Sequence, residues 1–276
     1  MEKILDYLKN NRVVQGALVL GGVAASAYLV YQRVNESKQE ENVLSLDERI
    51  NQIIQNAQIQ QYMQYQFYDL QTLMDFTDLF TEMAIPEFRE MVFKFREERR
   101  ELMHIDKQKY YKSIVDYNNE MLMIVGKQSQ KLLKYEGYND EYMRVAISIF
   151  MREPQYQQKI VYSLAKVKSS VASSDVTLSV EDAQSIIAFF IKYVQSQPEI
   201  LVHLVKYIVQ QNQNTGQVHP ALKTALYDQL YLEKGFEEED YLVVGLTDEF
   251  LNDPITQKIQ RQYSETLTQF IQYHSE

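Results

Sequence analysis

The chain has 276 residues, a net charge of −10, no cysteine and no tryptophan, with 45% apolar residues, 21 tyrosines, 8 glycines and 5 prolines. The missing cysteine excludes disulfides, thiolate metal sites and a thiol nucleophile. Few breakers among many good helix formers predict an all-α protein, and an acidic body is a poor partner for phosphate backbones, which argues against nucleic-acid binding.

The charge is unevenly placed. Four basic and two acidic residues in 1–35 leave +2 there, and the other 24 basic and 36 acidic residues leave −12. The basic end surrounds the run "RVVQGALVLGGVAASAYLVYQR" (12–33). Residues 13–31 carry no charge. As a helix rising roughly 1.5 Å per residue, they cover just under the ~30 Å hydrocarbon core. Arg12 and Arg33 bracket the run and can reach the headgroups, and Tyr28 and Tyr31 suit the interface. Ala25-Ser26-Ala27 also fits a signal-peptidase site behind a basic start. The apolar run continues past it to Tyr31, so an uncleaved anchor is the preferred reading over a signal peptide or a buried soluble helix.

Ala17, Gly21 and Ala25 recur every fourth residue, with Gly22 and Ser26 alongside. Such a small-residue stripe lets a second membrane helix approach closely. Three positive charges before the run predict that the short N-terminus stays on the synthesis or matrix side and the body crosses.

After the polar stretch "NESKQEEN" (35–42), Ser45 with Glu48 three residues on predicts a capping box. From there to about residue 80 the apolar spacing predicts one long helix, with the Gln-rich "QNAQIQQYMQYQ" inside it. Pro86 is placed at the start of the next helix, and 86–137 reads as one helix or two. Its middle, "KFREERRELMHIDKQK", has dense charge of both signs at helical spacing and reads as a solvated face. Further helices are predicted over 140–151, 154–172, 180–195, 198–211, 220–232 and 254–273, with Glu153, Ser179 and Asp253 as caps.

Two stretches echo each other: "GYNDEYMRVAISIFMREPQYQQKI" from Gly137 and "GFEEEDYLVVGLTDEFLNDPITQKI" from Gly235. Both run from Gly-aromatic through an acidic cluster and a Phe to an acid-Pro pair and then Gln, Lys and Ile. This predicts a duplicated helical hairpin, a form that mostly serves as a binding surface. The domain plan is an anchor (1–34), a linker (35–45), a long-helix arm (46–136), and a globular region (137–276) holding the repeats 137–160 and 235–259.

Chemical motifs are sparse. Glu101 and His104 form half of a di-metal helical motif, without the second half. Glu199 and His203 offer two ligands at most, and His219 and His274 read as ordinary surface or partly buried residues. "VGKQSQ" (125–130) lacks the early glycine and the Ser/Thr of a phosphate loop. "EEED" (237–240) reads as helix N-terminal charge. No enzyme, cofactor, metal or small-molecule substrate is expected.

The plan as a whole resembles the accessory single-pass subunits of ciliate-type mitochondrial respiratory complexes and ATP synthases. That plan is a short basic N-terminus, one Gly/Ala-rich span and an acidic, Tyr/Gln-rich, Cys-free helical body. The resemblance implies an inner-membrane address, a supporting role among other subunits and the bilayer, and no catalytic residues. The plan also resembles the N-terminally anchored receptors of peroxisomal or mitochondrial outer membranes, which would imply a tethered adaptor or import receptor.

Overall fold

A computed structural model describes residues 44–173, 175–211 and 217–275. The expected anchor, with Arg12, Ala17, Gly21, Gly22, Ala25, Ser26, Tyr28, Tyr31 and Arg33, lies outside the described residues. Among the described residues no helix is long and apolar enough to cross a membrane. They form an all-helical body with one small β-hairpin.

Helix α1 (Leu46–Asn56) starts at the predicted capping box: Ser45 Oγ accepts from the Glu48 amide, and the Glu48 carboxylate accepts from the Ser45 amide at 2.8 Å. It stops far short of residue 80, which corrects the single-helix expectation. The Gln-rich segment is instead an antiparallel hairpin, β1 (Ile59–Tyr62) and β2 (Tyr65–Tyr68), with Ile59 opposite Tyr68 and Tyr62 opposite Tyr65. Its Ile, Tyr and Phe residues favour a pleated strand as readily as a helix. Burial of Phe67 and Tyr68 decides between the two. Tyr68 Oη accepts from the Asn139 amide at 2.8 Å, a long-range bond that a helix in this register would forgo.

Helix α2 (Leu70–Ile105) is capped by Asp69, whose carboxylate accepts from the Thr72 amide at 2.8 Å. At 36 residues it spans roughly 54 Å. It runs straight through Pro86, which is therefore an interior residue and not a start. An interior proline loses one backbone bond and costs about 3 kcal/mol. Full burial of Ala84 and Phe88 on either side offsets that cost. A break at Asp106, extended in backbone, separates α2 from α3 (Lys107–Lys131). Asp106 caps the new helix through the Lys109 amide at 3.1 Å.

A short 3₁₀ turn (Leu132–Lys134) and Gly137 lead to α4 (Asp140–Phe150) and α5 (Pro154–Ser169). Then follow α6 (Val180–Gln195), α7 (Glu199–Gln210), α8 (Val218–Lys234), α9 (Glu238–Gly245), α10 (Asp248–Asn252) and α11 (Pro254–His274).

The echoed turns share local geometry. Gly137 and Gly235 both take positive φ (89° and 76°). Pro154 and Pro254 both open a helix. Gln157 Nε2 donates to the Met151 carbonyl and Gln257 Nε2 to the Leu251 carbonyl, each at 3.1 Å. The units differ ahead of the proline, where the first has one helix and the second has the two pieces α9 and α10.

The long helix α2 is the axis of the body, packed against α3, α4 and α5. Three apolar clusters lie along it. One gathers Ile50, Tyr68, Phe76, Leu132 and Met143 at the hairpin end, and a middle one gathers Phe88, Val92, Tyr117, Ile124 and Val167. The largest, with Tyr110, Phe190, Leu204, Leu222, Phe250 and Leu267, is built mostly by α3 and α6 to α11. Residues from both sides of position 137 meet in every cluster.

Candidate functional site

The expectation of a solvated charged face in the middle of α2 is corrected by the structure. Arg96 and Arg99 are buried, 9% and 6% exposed. They continue the stripe Phe88, Val92, Arg96, Arg99, Met103, whose three- and four-residue steps share one helix face. Helices α8 and α9 bring carboxylates to that face.

Arg99 forms a two-point pair with Asp228 of α8, Nε to Oδ2 at 2.9 Å and Nη2 to Oδ1 at 3.1 Å. Tyr110 Oη donates to the same carboxylate at 3.1 Å, and the Tyr117 ring lies under the guanidinium, 4.7 Å from its centroid. The "EEED" run is the N-terminus of α9, as predicted, but Glu238, Glu239 and Asp240 are buried and Glu237 is half-buried. Glu239 accepts from Arg96 Nη2 at 2.7 Å, and Glu237 accepts from Arg100 Nη2 at 2.7 Å. The Arg100 guanidinium also stacks on Tyr231 at 3.3 Å. Glu238 accepts from Lys168 Nζ of α5 at 2.7 Å, with Lys223 Nζ of α8 at 3.6 Å from its second oxygen. Asp240 accepts from the Ser173 amide at 2.9 Å and the Glu237 amide at 3.0 Å.

Two-point charged pairs of this kind are strong only when both partners stay in place. Burial pushes the Glu239 carboxyl up to about 7, and the neighbouring Arg96 offsets only part of that. Burial would raise Glu238 as well, but Lys168 and Lys223 outweigh it and hold that carboxylate below its ordinary range.

A small cavity of about 80 Å³ adjoins this cluster, between α3, α5, α8 and α9, with Lys168, His219, Lys223 and Glu238 in its wall. His219 sits inside α8 and is 7% exposed, not in a surface loop as its place beside Pro220 suggests. Its Nδ1 has no hydrogen-bond partner. Burial and the adjacent Lys223 press its pKa down to about 3, so the ring is neutral. A second, more apolar cavity of about 120 Å³ lies between α2, α3, α4 and α5, walled by Phe80, Val125, Met143, Met151, Tyr156 and Ile160.

The other sequence candidates stay apart. Glu101 and His104 are exposed on α2, and Glu199 and His203 are exposed on α7, where Glu199 faces Lys107 at 3.5 Å. Among the described residues no three His, Asp or Glu side chains gather as a metal would require. Sequence reasoning misses the ionic cluster because dense charge reads as exposure. The signal that could find it is the coincidence of Arg96 and Arg99 with the apolar stripe of α2. Their partners, 129 to 143 residues away, have no local signature.

The arrangement thus defines a helical body whose buried charges answer one another across α2, α5, α8 and α9. Comparison with protein-family models, with curated proteins and with solved structures gives no match to this chain.

Proposed function

We propose that this protein is a structural, accessory subunit of a multi-subunit membrane complex. In this reading residues 13–31 anchor it, and the body contributes shape and contact surface, not chemistry. The observation that carries the reading is the uncharged nineteen-residue run between Arg12 and Arg33, which is more stable among acyl chains than in water. The Ala17/Gly21/Ala25 stripe supplies a face for a neighbouring membrane helix. The internal pairing of the ionic cluster supports the same reading: its arginines, Lys168 and carboxylates are engaged in holding helices together. The inner mitochondrial membrane is the address we propose, on the plan of basic end, single span and acidic helical body.

The test has two parts. The full-length protein should resist alkaline carbonate extraction. In mild detergent it should also migrate on native gels with a large complex, in near-fixed ratio to its other subunits. Extraction by carbonate would remove the anchor, and a protein found mostly free in detergent would remove the subunit role. The alternative is a membrane-tethered adaptor or import receptor, for which the apolar cavity between α2 and α5 is the favouring observation. That reading expects the free form.

A further inference from the structure

The hairpin has an unusual surface for an acidic protein. Ile59, Tyr62, Met63 and Tyr65 are 56%, 62%, 74% and 49% exposed. From Ile50 to Tyr68 the sequence carries no charge at all, between Arg49 and Asp69. Exposed Ile105 and Tyr273 are scattered elsewhere, whereas these four belong to one short element. Met63, at the tip, has φ 54°, a backbone region where a residue with a Cβ is disfavoured and where glycine would fit more easily. An apolar side chain is therefore displayed at the point where strain would select against it.

The hairpin sits at the N-terminal end of α2, fastened there by Asp69 N to Gln58 O at 2.9 Å and Gln58 N to Thr72 Oγ1 at 3.1 Å. Its inner strand β2 rests on α4, and all four residues of β1 are exposed. Chain length leaves the element within tethering reach of the proposed anchor. Residues 34–43 can extend over at most about 35 Å, and α1 adds only about 16 Å between Ser45 and the hairpin base.

We infer that the hairpin tip is a membrane-contacting element, which lays Tyr62, Met63 and Tyr65 into the headgroup region of the bilayer that holds the anchor. The inference rests on the anchored reading above. Tyrosine and apolar side chains without charge suit that depth, because the ring enters the acyl boundary while its hydroxyl stays hydrated. Lack of charge makes the contact independent of anionic lipid, unlike a basic surface helix. The tip would thus fix this end of the body against the bilayer as a second point of attachment.

The absence of tryptophan makes a direct test possible. Tyr62→Trp and, separately, Tyr65→Trp each give the full-length protein a single indole, and Tyr273→Trp gives an exposed control near the end of α11. Each is reconstituted in phosphatidylcholine vesicles, with and without bromine on the upper acyl carbons, at low and high salt. Expected are blue-shifted emission and bromine quenching at 62 and 65, unchanged by salt, and neither effect at 273. Emission at both hairpin positions as unquenched as at 273 would overturn the inference. So would a blue shift that arises without bromine quenching only when other subunits are added, since a protein would then cover the hairpin. Carbonate extraction of the same vesicles separates the two readings: a retained chain with unquenched hairpin indoles leaves the anchor standing and removes the hairpin contact.

Discussion

Arg99 is held by a two-point pair with Asp228, which also takes the Tyr110 hydroxyl, and by a ring beneath its guanidinium, while its buried Nη1 has no hydrogen-bond partner. Removing one partner of such a buried pair leaves an uncompensated charge, at a cost of about 3–5 kcal/mol. Arg99→Met should therefore destabilise the body by that order in urea unfolding, and Arg99→Met with Asp228→Leu should recover much of the loss. A double variant no better than the single one would show that the pair itself, not the orphaned carboxylate, holds the helices. His219 makes a pH-dependent contribution. Its folded pKa, about 3, lies below the unfolded value of 6.5. The unfolded chain therefore binds more protons in between, and stability is lost as pH falls from 6.5 towards 3. The loss amounts to a few kcal/mol at most. Glu239, raised to about 7, acts with the opposite sign: the folded state binds the extra proton between pH 4.5 and 7, so stability falls as pH rises there. In thermal melts across pH, His219→Gln should flatten the acid side of the profile, and Glu239→Gln should flatten the decline towards neutrality.

Among the elements, most local capping signals agree with the structure, although Glu153 holds its N-cap position without a side-chain bond, and the elements decided at a distance do not agree. Ser45, Ser179 and Asp253 cap the helices they were expected to cap, because a cap is chemistry within four residues. Segment 57–68 reads as helix on spacing and is a hairpin because Phe67 and Tyr68 find a core 70 residues on, at Tyr138 to Phe150. Pro86 reads as a start and is an interior residue, because packing on both sides outweighs one lost bond. The paired glycines permit a comparison. A Cβ at Gly137 would stand 2.8 Å from Ile54 Cγ2, whereas at Gly235 it would meet nothing within 4 Å. Gly235→Ala should cost only the backbone strain of positive φ, about 1–2 kcal/mol. Gly137→Ala should cost more, since α1 must also move. Equal losses in thermal melts would mean that α1 yields freely at Ile54.

For the whole molecule, the length of α2 matters most. One helix of about 54 Å cannot bury its faces on its neighbours in sequence alone. It collects α3 and α5 along its flanks and the acidic start of α9 on its arginine stripe. If the chain works by shape, function should follow contact and not chemistry. Gly21→Leu should weaken co-purification with partner subunits while leaving the protein resistant to carbonate, since a bulky side chain blocks close approach but not insertion. Unchanged co-purification would take the small-residue stripe out of the proposed interface.

By itself the sequence determined the helical class of the body, most helix positions from α4 onward, the Ser179 and Asp253 caps and the prolines that open α5 and α11. These depend on composition and on contacts a few residues apart. The nineteen uncharged residues near the start are equally local, and the functional proposal rests on them. Only the tertiary structure decided that 59–68 is a hairpin, that α2 passes through Pro86, and that the charged middle of that helix is interior. A charged side chain is buried or solvated according to whether a counter-charge arrives from elsewhere in the chain. Asp228, Glu237 and Glu239 reach the arginines of α2 across 129, 137 and 143 residues of sequence, a separation over which no local spacing carries information.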